Sequence, residues 1–593
     1  MRQGRFAALL CGRHMHGWTG TILRVNLTTG RTGREKLPAA LLHAYLGGRG
    51  LGVRLVRDCH CLDPFDAGMP LVFAVGPLCG TAAPTAARLT VVSRSPLTGT
   101  VTDCSAGGRF AWRLKAAGID ALSIEGMSPH PVVLAISGDT AELLPAASLW
   151  GKGVRETVSL LAGRGSIATI GPAGENGVLF ANIMMGEGNS VGRGGLGAVM
   201  GKKLLKAVVV DGDRQVTVAD PQRFDHARQD VMRLFRASPV IFGELGIAAY
   251  GTPALVDLMR QRRMAPTENF RKTVFAESGN YSGPAILREC RPKKDGCYGC
   301  PIQCKKSTPQ GEHLPEYETV SHFGALNGIA SLGAIVRSNT LCNELGMDTI
   351  SAAATLSAWG EWRGRFPGAE EIAEILTDIA HRRGEGERLA DGSRRFADAV
   401  ASPGISMSVK SLELPAYDPR GAYGMALAYC TSNRGGCHLR AYPISHEILR
   451  KPVATDRFSF SGKARIIKIA EDTNAAIDSL VACKFSFFGA TLEEYAELLT
   501  AATGEWYTPQ SLKEIGERIY LTERFYNCDN GFTAADDTLP ERFFAEPGSS
   551  GEGIDIPPID RERFLEELQK YYRIRGLTEA GLFPAPDFLE RQP

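Results

Sequence analysis

The sequence has no long apolar run and no excess of charge of either sign. Across its 593 residues, no apolar stretch approaches the roughly 18 residues that a membrane-spanning helix requires. Its 67 basic residues nearly balance 65 acidic ones, and the net charge of +2 implies no large field that would attract nucleic acid or a membrane surface. Fixed-period repeats and low-complexity tracts are also missing. We therefore expect a protein of several domains that neither inserts into a membrane nor binds nucleic acid.

The sequence gives little support for a secreted protein held together by disulfides. Its fourteen cysteines are spread through a chain long enough to bury a large core, so we expect reduced thiols that serve a cofactor in the cytoplasm. The segment 1–16 has an apolar core of only six residues, FAALLC, and no small-residue cleavage site. We expect this segment to be a disordered extension rather than a signal peptide.

Hydrophobic patterning divides the chain into a β-rich first part and a helical remainder. Up to about Asp211, the runs ILRVNL, LTVVS, PVVLAIS, SIATIG and KAVVVDG alternate with glycine-rich turns, which predicts strands. Beyond that point a 3.6-residue spacing predicts helices, as at Ile372, Ile375, Leu376 and Ile379. Two prolines and two glycines interrupt the helical pattern near residues 414–424. The predicted fold is α+β, with the extension 1–16, a β-rich domain 17–212 and two mainly helical domains, 213–418 and 419–593.

Three cysteines fall within eight positions in DGCYGCPIQCKK, residues 295–306. Cys297 and Cys300 are three residues apart, Cys304 follows four residues later, and the proline after Cys300 keeps the loop open, which suits three corners of a cubane. A radical S-adenosylmethionine motif would have the reverse spacing, CxxxCxxC. Structural zinc usually has a second CxxC or an HxxxH partner, and only His313 and His322 follow closely. The spacing favours a [4Fe–4S] cluster over zinc and zinc over a disulfide, and it leaves the fourth ligand open.

A further cysteine, Cys483, lies in the segment DSLVACKFSFF, residues 478–488. This segment resembles the DxxGLC element of the tungsten-containing aldehyde:ferredoxin oxidoreductase family. The resemblance extends over nearly the whole chain from Gly17, and it implies a β-rich base under two helical domains and one [4Fe–4S] cluster held by Cys297, Cys300, Cys304 and Cys483. The other blocks that carry it, in the family's order, are GGRGLG (47–52), SRSPLTGT (93–100), GPAGEN (171–176), GRGGLGAVMG (192–201), ELPAYDPRGA (413–422) and NRGGCHLRAY (433–442).

The resemblance also implies a tungsten or molybdenum ion held by the dithiolene sulfurs of two pyranopterins, with Mg²⁺ as a candidate bridge between their phosphates. Glycines of the first domain would let the backbone approach those phosphates closely. Two matching elements, NELGMD (343–348) and DSLVAC (478–483), would serve one pterin each, with Asp348 and Asp478 accepting pterin N–H groups. The implied pterin-contacting positions are Arg88, Ser105, Gly107, Ser190, Gly192, Arg193, Asn343, Met347, Asp348, Arg434, Arg440, Asp478 and Ala482.

Two further positions carry the implied chemistry, Glu318 in PEYET and His438 in NRGGCHLRAY. Without the resemblance, His438 would be interpreted as a structural histidine and Glu318 as a surface carboxylate. With it, the two residues form a proton-handling pair at the substrate, favoured over the neighbouring Glu316. The implied reaction converts an aldehyde to a carboxylic acid and sends electrons through the cluster to ferredoxin or an iron–sulfur partner subunit.

Several positions depart from the family pattern. Arg337 and Thr340 stand where some members have an ExxH motif that binds a single iron between subunits, so no such iron is expected and a homodimer loses one argument. Ser105, Asn343, and Val481 with Ala482 replace residues of the pterin elements, and these replacements affect pterin contacts more than the class of cofactor. We attribute the remaining thiols of these regions, Cys104, Cys342, Cys430 and Cys437, to core packing.

Two other functions stay open from the sequence. A catalytic subunit of a tungsten-dependent reductase of aromatic acyl-CoA would share the pterin blocks and draw electrons from partner subunits. A non-enzymatic iron–sulfur electron carrier would need only the cluster. The presence of both Glu318 and His438 argues against the carrier, because electron transfer alone needs no acid–base pair.

Overall fold

The structure is a computed structural model that describes residues 15–585, and strands dominate its first part. The strands of this part are β1 (Thr21–Asn26), β2 (Arg31–Lys36), β3 (Leu71–Ala74), β4 (Leu89–Arg94), β5 (Val101–Ala106), β6 (Ala121–Glu125), β7 (Val132–Ser137), β8 (Thr140–Pro145), β9 (Ser166–Thr169), β10 (Ile183–Met185), β11 (Asn189–Val191) and β12 (Leu205–Asp211). They form two six-stranded sheets, in the orders β2-β1-β6-β3-β4-β5 and β11-β10-β9-β12-β7-β8. The β1–β6 and β7–β12 pairs are parallel and the other neighbours antiparallel.

The five runs predicted as strands from the sequence correspond to β1, β4, β7, β9 and β12. Their buried side chains share one core between the two sheets, where Leu23 and Val91 of the first sheet belong to the same cluster as Leu134 and Val208 of the second. Short helices connect the strands. They are α1 (Ala39–Tyr45), α2 (Gly48–Leu55), α3 (Phe110–Ala116), α4 (Val154–Leu160), α5 (Pro172–Glu175) and α6 (Leu196–Lys202).

Helices dominate after Asp211, so the predicted α+β class is confirmed. The predicted helical spacing at Ile372, Ile375, Leu376 and Ile379 falls within the helix Ala369–His381. The helices are α7 (Pro221–Ala237), α8 (Pro239–Phe242), α9 (Ile247–Tyr250), α10 (Leu255–Gln261), α11 (Gly283–Cys290), α12 (Tyr317–Phe323), α13 (Leu332–Leu345), α14 (Thr349–Trp362), α15 (Ala369–His381), α16 (Glu385–Leu389), α17 (Ser393–Ala399), α18 (Tyr423–Thr431), α19 (Ile444–Glu447), α20 (Lys463–Leu480), α21 (Leu492–Thr503), α22 (Pro509–Asp529), α23 (Arg542–Ala545) and α24 (Arg561–Arg575).

Two small hairpins interrupt the helical part. One pairs β13 (Lys293–Asp295) with β14 (Lys305–Ser307), and the other pairs β15 (Ser408–Val409) with β16 (Leu412–Glu413). The first hairpin matters most for the site described below, because its loop contains the three closely spaced cysteines.

Residues 1–14 of the expected N-terminal extension lie outside the described residues. Between residues 15 and 585, no single helix has the length and apolar character needed to cross a bilayer. The segments Pro239–Tyr250 and Thr252–Gln261 reach that length only when counted together, and they bend by 113° where they meet.

Candidate active site

The cysteine loop is the tip of the β13–β14 hairpin, and it packs against the first sheet. Register pairs Asp295 with Lys305, so residues 296–304 form the connecting loop. A Cβ at Gly107, just after β5, would lie 2.2 Å from the Cys297 sulfur, so only glycine allows this approach. The amide of Tyr298 donates to the Gly108 carbonyl at 3.1 Å, and the Tyr298 ring stacks on Trp112 at 4.3 Å. The loop is therefore fixed to the β-rich part.

Cys483, far along the chain, lies in the same neighbourhood as the cysteines of this loop. Burial and, after it, the nearby Cys483 raise the pKa of Cys300 to about 11. Burial followed by Cys483 also raises the pKa of Cys304. Burial alone would lower the pKa of Arg88, but Cys483 and Cys297 hold it above its ordinary value. Cys297, Cys300, Cys304 and Cys483 therefore share one neighbourhood beside Arg88, and four cysteine ligands gathered in this way fit a [4Fe–4S] cluster.

A single zinc ion in this loop would require closely spaced ligand atoms. Tetrahedral zinc with Zn–S bonds of about 2.3 Å holds its sulfurs roughly 3.8 Å apart. Among residues 15–585, one group of three side chains has metal-ligating atoms that all lie within 4.8 Å of one another. That group does not include these cysteines. Of the two nearby histidines, His322 faces the carbonyl oxygens of Glu318 and Leu414 with its ring nitrogens, whereas His313 Nδ1 lies 3.4 Å from Asp295 without a hydrogen-bond partner among the described residues.

The first predicted pterin element, NELGMD, caps the end of α13. Gly346 takes a left-handed conformation with φ of 78°, and its amide closes on the Cys342 carbonyl at 2.9 Å. The element then docks on the backbone before β10. The Asn182 amide donates to the Gly346 carbonyl at 2.9 Å, and the Asp348 amide donates to the Phe180 carbonyl at 3.0 Å.

The second element, DSLVAC, repeats this arrangement on the other sheet. Val481 caps α20 in the left-handed conformation with φ of 55°, and its amide returns to the Ile477 carbonyl. The Arg88 amide donates to the Val481 carbonyl at 3.3 Å, and the Cys483 amide donates to the Thr85 carbonyl at 3.2 Å. The two elements are therefore equivalent in structure, and Asn182 is the counterpart of Arg88. From the sequence, Val481 was only a replacement within the second pterin element. The structure shows a β-branched residue in the left-handed conformation, which adds backbone strain.

A polar cavity with an empty volume of about 570 Å³ opens beside the first element. Asn182 is 2% exposed, and its side-chain oxygen has no hydrogen-bond partner among the described residues. Such an atom fits a cavity that receives a hydrogen-bond donor such as a pterin N–H group. The cavity lining includes five of the predicted pterin positions, Ser190, Gly192, Asn343, Met347 and Asp348.

The two aspartates predicted as pterin acceptors already have charged partners. Asp348 lies 3.1 Å from Arg193 and accepts from the Ile350 amide at 3.1 Å, which starts α14. Asp478 contacts Lys484 and lies 3.4 Å from Arg49. Their remaining lone pairs could still accept a hydrogen bond, and their role toward a pterin stays a prediction.

Arg434 and Arg440 were predicted to contact the pterins, and a buried aspartate, Asp103, engages both. Arg440 lies 3.2 Å from one carboxylate oxygen of Asp103 and contacts the other, and Arg434 donates to the Asp103 carbonyl at 2.6 Å. Arg49 approaches the same carboxylate at 3.5 Å. Burial alone would raise the pKa of Asp103, yet Arg440 and Arg49 hold it well below its usual range. Much of the positive charge is therefore balanced within the protein.

Cys437 differs from the packed core thiol that the sequence predicted. Arg434 donates to its sulfur at 2.9 Å, and the Leu439 amide does so at 3.3 Å. Burial alone would raise the pKa of this thiol, but Arg434 and Arg440 lower it to about 7. The side chain beside His438 is therefore close to half ionised at neutral pH.

Glu318 and His438 face each other. Glu318 lies in the first turn of α12, where its Oε2 accepts from the Ala416 amide at 2.9 Å and its Oε1 lies 3.5 Å from His438 Nε2. Glu318 Oε1 and His438 Nδ1 are buried and have no hydrogen-bond partner in the described part of the chain. Glu316 points elsewhere, into the polar cavity, and pairs with Lys305 at 2.8 Å.

The surroundings shift the two pKa values in opposite directions. Burial raises the pKa of Glu318 to about 8, and the Ala416 amide and Arg193 only partly oppose it. Burial lowers the pKa of His438 well below its ordinary value, and Arg193 and Arg434 lower it further. At neutral pH the pair therefore consists mainly of a carboxylic acid and a neutral imidazole.

Aromatic rings surround this pair. The Tyr417 ring centroid lies 5.5 Å from that of His438, and the Tyr442 ring lies 6.1 Å from it. The two tyrosine hydroxyls are 3.3 Å apart, and Phe488 packs edge-on against Tyr442. Glu318 and His438 therefore lie in a largely aromatic environment.

Sequence reasoning missed several residues of this site. Arg49 lies in the block GGRGLG, where the sequence pointed to a role for the glycines and gave no separate role to this arginine. Asp103 and Asn182 carried no local signal, and Tyr417 lay within the quoted block ELPAYDPRGA, but the roles of all three depend on contacts with residues distant in the chain. Ser105, by contrast, was predicted, and its hydroxyl is 2.9 Å from that of Thr90.

The chain matches known proteins over most of its length. The family model for the aldehyde ferredoxin oxidoreductase N-terminal domain matches residues 22–212, and the model for domains 2 and 3 of the same family matches residues 226–592. The chain is 40% identical to the tungsten-containing aldehyde ferredoxin oxidoreductases of Pyrococcus furiosus and Thermococcus kodakarensis, over 96% of this chain and 98% of each relative. Among solved structures, it is similar in fold to the active site complex BamBC of benzoyl coenzyme A reductase in complex with 1,5-dienoyl-CoA, with a TM-score of 0.82, 24% identity and 96% of both chains covered.

Proposed function

Because this chain belongs to the aldehyde ferredoxin oxidoreductase family, we propose that it oxidises an aldehyde to the corresponding carboxylic acid. The reaction adds one oxygen atom from water and releases two electrons and two protons. The observation that carries the proposal is the 3.5 Å approach of Glu318 Oε1 to His438 Nε2 in a buried site, where each side chain retains an unpartnered polar atom.

The proposed cofactors are a tungsten or molybdenum bis-pyranopterin and one [4Fe–4S] cluster, with Mg²⁺ between the pterin phosphates. When bound, the metal centre accepts the two electrons and the cluster passes them on one at a time. Cys297, Cys300, Cys304 and Cys483 would hold the cluster. The polar cavity and the equivalent docking of the NELGMD and DSLVAC elements support one pterin beside each element.

Glu318 and His438 would divide the proton handling between them. Glu318 is mainly protonated near neutral pH, so its Oε1 can donate a hydrogen bond to the aldehyde oxygen. His438 is mainly neutral there, so one ring nitrogen can accept a hydrogen bond from the incoming water and orient it. Glu318 would then act on the aldehyde oxygen while His438 acts on the water, so the reaction would use both residues.

We propose ferredoxin or an iron–sulfur partner subunit as the electron acceptor and the cytoplasm as the compartment. The cysteine loop supports the first point, because Tyr298 in this loop is 41% exposed and lies next to the proposed cluster ligand Cys297. A homodimer remains a prediction.

Turnover of purified protein tests the proposal. We expect anaerobically purified holoenzyme to reduce a viologen dye with aldehydes, faster for those with an apolar or aromatic group than for small polar ones. The absence of viologen reduction with any member of such a panel, in protein that contains its metal, pterin and iron, would overturn the proposal.

A second candidate function is ring reduction of an aromatic acyl-CoA. The tyrosines around His438 favour an aromatic substrate, and a reductase would also need a proton donor beside the ring. The discriminating assay supplies reduced viologen with an aromatic acyl-CoA thioester and follows the loss of ring absorbance. Reduction of the thioester by protein that ignores aldehydes would favour this second function.

A further inference from the structure

A second group of candidate metal ligands lies at the surface, between the loop that follows α2 and the C-terminal end of α22. His60 Nε2 is 2.9 Å from a carboxylate oxygen of Asp529, the last residue of α22. Across residues 15–585, the group of three metal-ligating side chains whose ligand atoms all lie within 4.8 Å of one another consists of His60, Cys61 and Asp529. Ligands of a tetrahedral zinc ion lie roughly 3.3–3.8 Å apart, so small side-chain movements would complete a site here.

The contacts of the two ring nitrogens of His60 suit a metal ligand. Its Nδ1 contacts the carbonyl oxygen of Arg57, which can only accept, so Nδ1 carries the proton. Nε2 lies 2.9 Å from a carboxylate oxygen of Asp529, so this nitrogen and this oxygen already face each other as two ligands of one metal ion would. Metal-bound histidines commonly donate their other ring N–H to a backbone carbonyl in this way.

Neighbouring contacts hold the ligands in position. The His60 ring stacks on Tyr526 at 4.3 Å, and the Asn530 side chain donates to the His60 carbonyl at 3.0 Å. Arg94 donates to the Cys61 carbonyl at 3.0 Å, which fixes the backbone of the loop. His60 is only 15% exposed in its side chain, whereas the Cys61 thiol faces solvent and can be reached by an ion.

We propose that His60 Nε2, the Cys61 thiolate and the Asp529 carboxylate bind one divalent cation of the zinc class, with water in the fourth position. One nitrogen, one sulfur and one oxygen donor suit zinc better than magnesium or calcium, which prefer oxygen ligands alone. Binding exchanges the Cys61 thiol proton for the metal and releases that proton to solvent. The site is separate from the cysteines and pterin elements of the candidate active site, so the proposal does not depend on the proposed function.

Such an ion would join two distant parts of the chain. His60 and Asp529 are 469 residues apart, one in the β-rich part and the other at the end of a helix in the last third. A ligand that binds only the folded arrangement stabilises it, so bound zinc should raise the unfolding temperature without altering turnover.

Zinc binding by the intact holoenzyme tests this site. After equilibration with zinc and desalting under anaerobic conditions, we expect about one zinc per chain, with X-ray absorption showing one sulfur at about 2.3 Å and nitrogen or oxygen at about 2.0–2.1 Å. In Cys61→Ser and His60→Gln, zinc binding should weaken at least about a hundredfold, because even the loss of a group that only supports a ligand weakens metal binding about 10–100-fold. Cys59→Ser is the matched control, since this thiol lies in the same loop outside the three-residue group, and it should keep the zinc.

Three outcomes would overturn the proposal. Absence of retained zinc would mean that the contact between His60 and Asp529 forms without a metal ion. A shell of several sulfurs, unchanged by Cys61→Ser, would assign the zinc to the cluster cysteines instead. Equal zinc content in Cys59→Ser, Cys61→Ser and His60→Gln would also exclude these ligands, and iron content measured on each sample shows whether the variant is folded and loaded.

Discussion

Burial and neighbouring charge give Glu318 and His438 complementary protonation states. The carboxyl group is desolvated and has one amide donor, which is too little to stabilise the anion near neutral pH. The imidazole is desolvated beside Arg193 and Arg434, which disfavour a second positive charge. Perturbed values of this kind mark residues prepared for proton transfer, and they also make the pair sensitive to pH.

The pKa of Glu318 predicts an alkaline limit on turnover. As the pH rises through about 8, Glu318 loses the proton that it would donate, so aldehyde oxidation should decline. In Glu318→Gln this alkaline limb should disappear from the residual activity, since the amide does not titrate. Measurement of kcat/KM from pH 6 to 10 checks this, and an unchanged limb in the variant would assign it to another group.

The same shift predicts how stability depends on pH. Because the unfolded carboxyl ionises near 4.5 and the folded one near 8, the unfolded chain loses this proton first as the pH rises. The contribution of Glu318 to stability is therefore fully present below about pH 4.5 and is lost as the pH rises through about 8. Glu318→Gln should reduce the loss of stability over this interval, as measured by denaturant unfolding of the two proteins at pH 6 and 8.5.

At the level of single residues, the sequence predicted which residues belong to the candidate site better than it predicted what surrounds them. Resemblance alone separated Glu318 from Glu316, and the structure gives the physical difference, since one faces His438 and the other pairs with Lys305. The lowered pKa of Cys437 could not be predicted, because it depends on Arg434 and Arg440 converging after folding. The contacts of Arg434 and Arg440 with Cys437 form only in the folded chain, so the sequence alone does not reveal the shift in pKa.

The cysteine hairpin and the end of α20 form one structural unit. Although Cys300 and Cys483 are far apart in sequence, Cys483 lies close enough to Cys300 to affect its ionisation. We predict that Cys483→Ser disturbs the same cluster as Cys300→Ser, with matching changes in the paramagnetic resonance of the reduced cluster. An unchanged spectrum in Cys483→Ser would contradict the four-cysteine assignment.

Arg49 holds α2, β5, α20 and α22 together. It is fully buried and lies 2.6 Å from Glu523, with Asp103 and Asp478 within 3.5 Å. Arg49→Met would leave three buried carboxylates without this partner, and we expect a loss of about 3–5 kcal/mol in unfolding free energy. Chemical denaturation of the anaerobic holoenzyme measures it.

The matched control for Arg49 is the surface pair Arg24–Glu35. Their side chains are 46% and 55% exposed, so Arg24→Met should cost less than about 1 kcal/mol. A loss in Arg49→Met no larger than that in Arg24→Met would show that the buried network contributes little.

Elements were more predictable than their arrangement. Runs such as KAVVVDG gave β12, and the 3.6-residue spacing gave α15, because local patterning decides which face is buried. The pairing of β12 with β7 and β9, and the equivalent docking of Gly346 and Val481, depend on long-range contacts. No periodic pattern in the sequence encodes those contacts.

For the whole molecule, the two equivalent pterin elements predict a defined cofactor content. We expect two pterins per metal atom and about four cluster irons per chain, with no additional interface iron. Elemental analysis and pterin quantification of protein purified without other subunits check these ratios. Iron clearly above four per chain would reopen the question of an interface site near Arg337, which pairs with Glu370 at 2.7 Å.

The central claim is that this chain oxidises aldehydes with Glu318 and His438 as its proton-handling pair. The most direct test is aldehyde turnover by His438→Asn and Glu318→Gln, with tungsten or molybdenum, pterin and iron measured in each sample. Both variants should retain cofactors while turnover falls about 10²–10⁴-fold, and Glu316→Gln should lose less than about tenfold. Turnover at the wild-type rate in His438→Asn, or a healthy Glu318→Gln beside an inactive Glu316→Gln, would contradict the account.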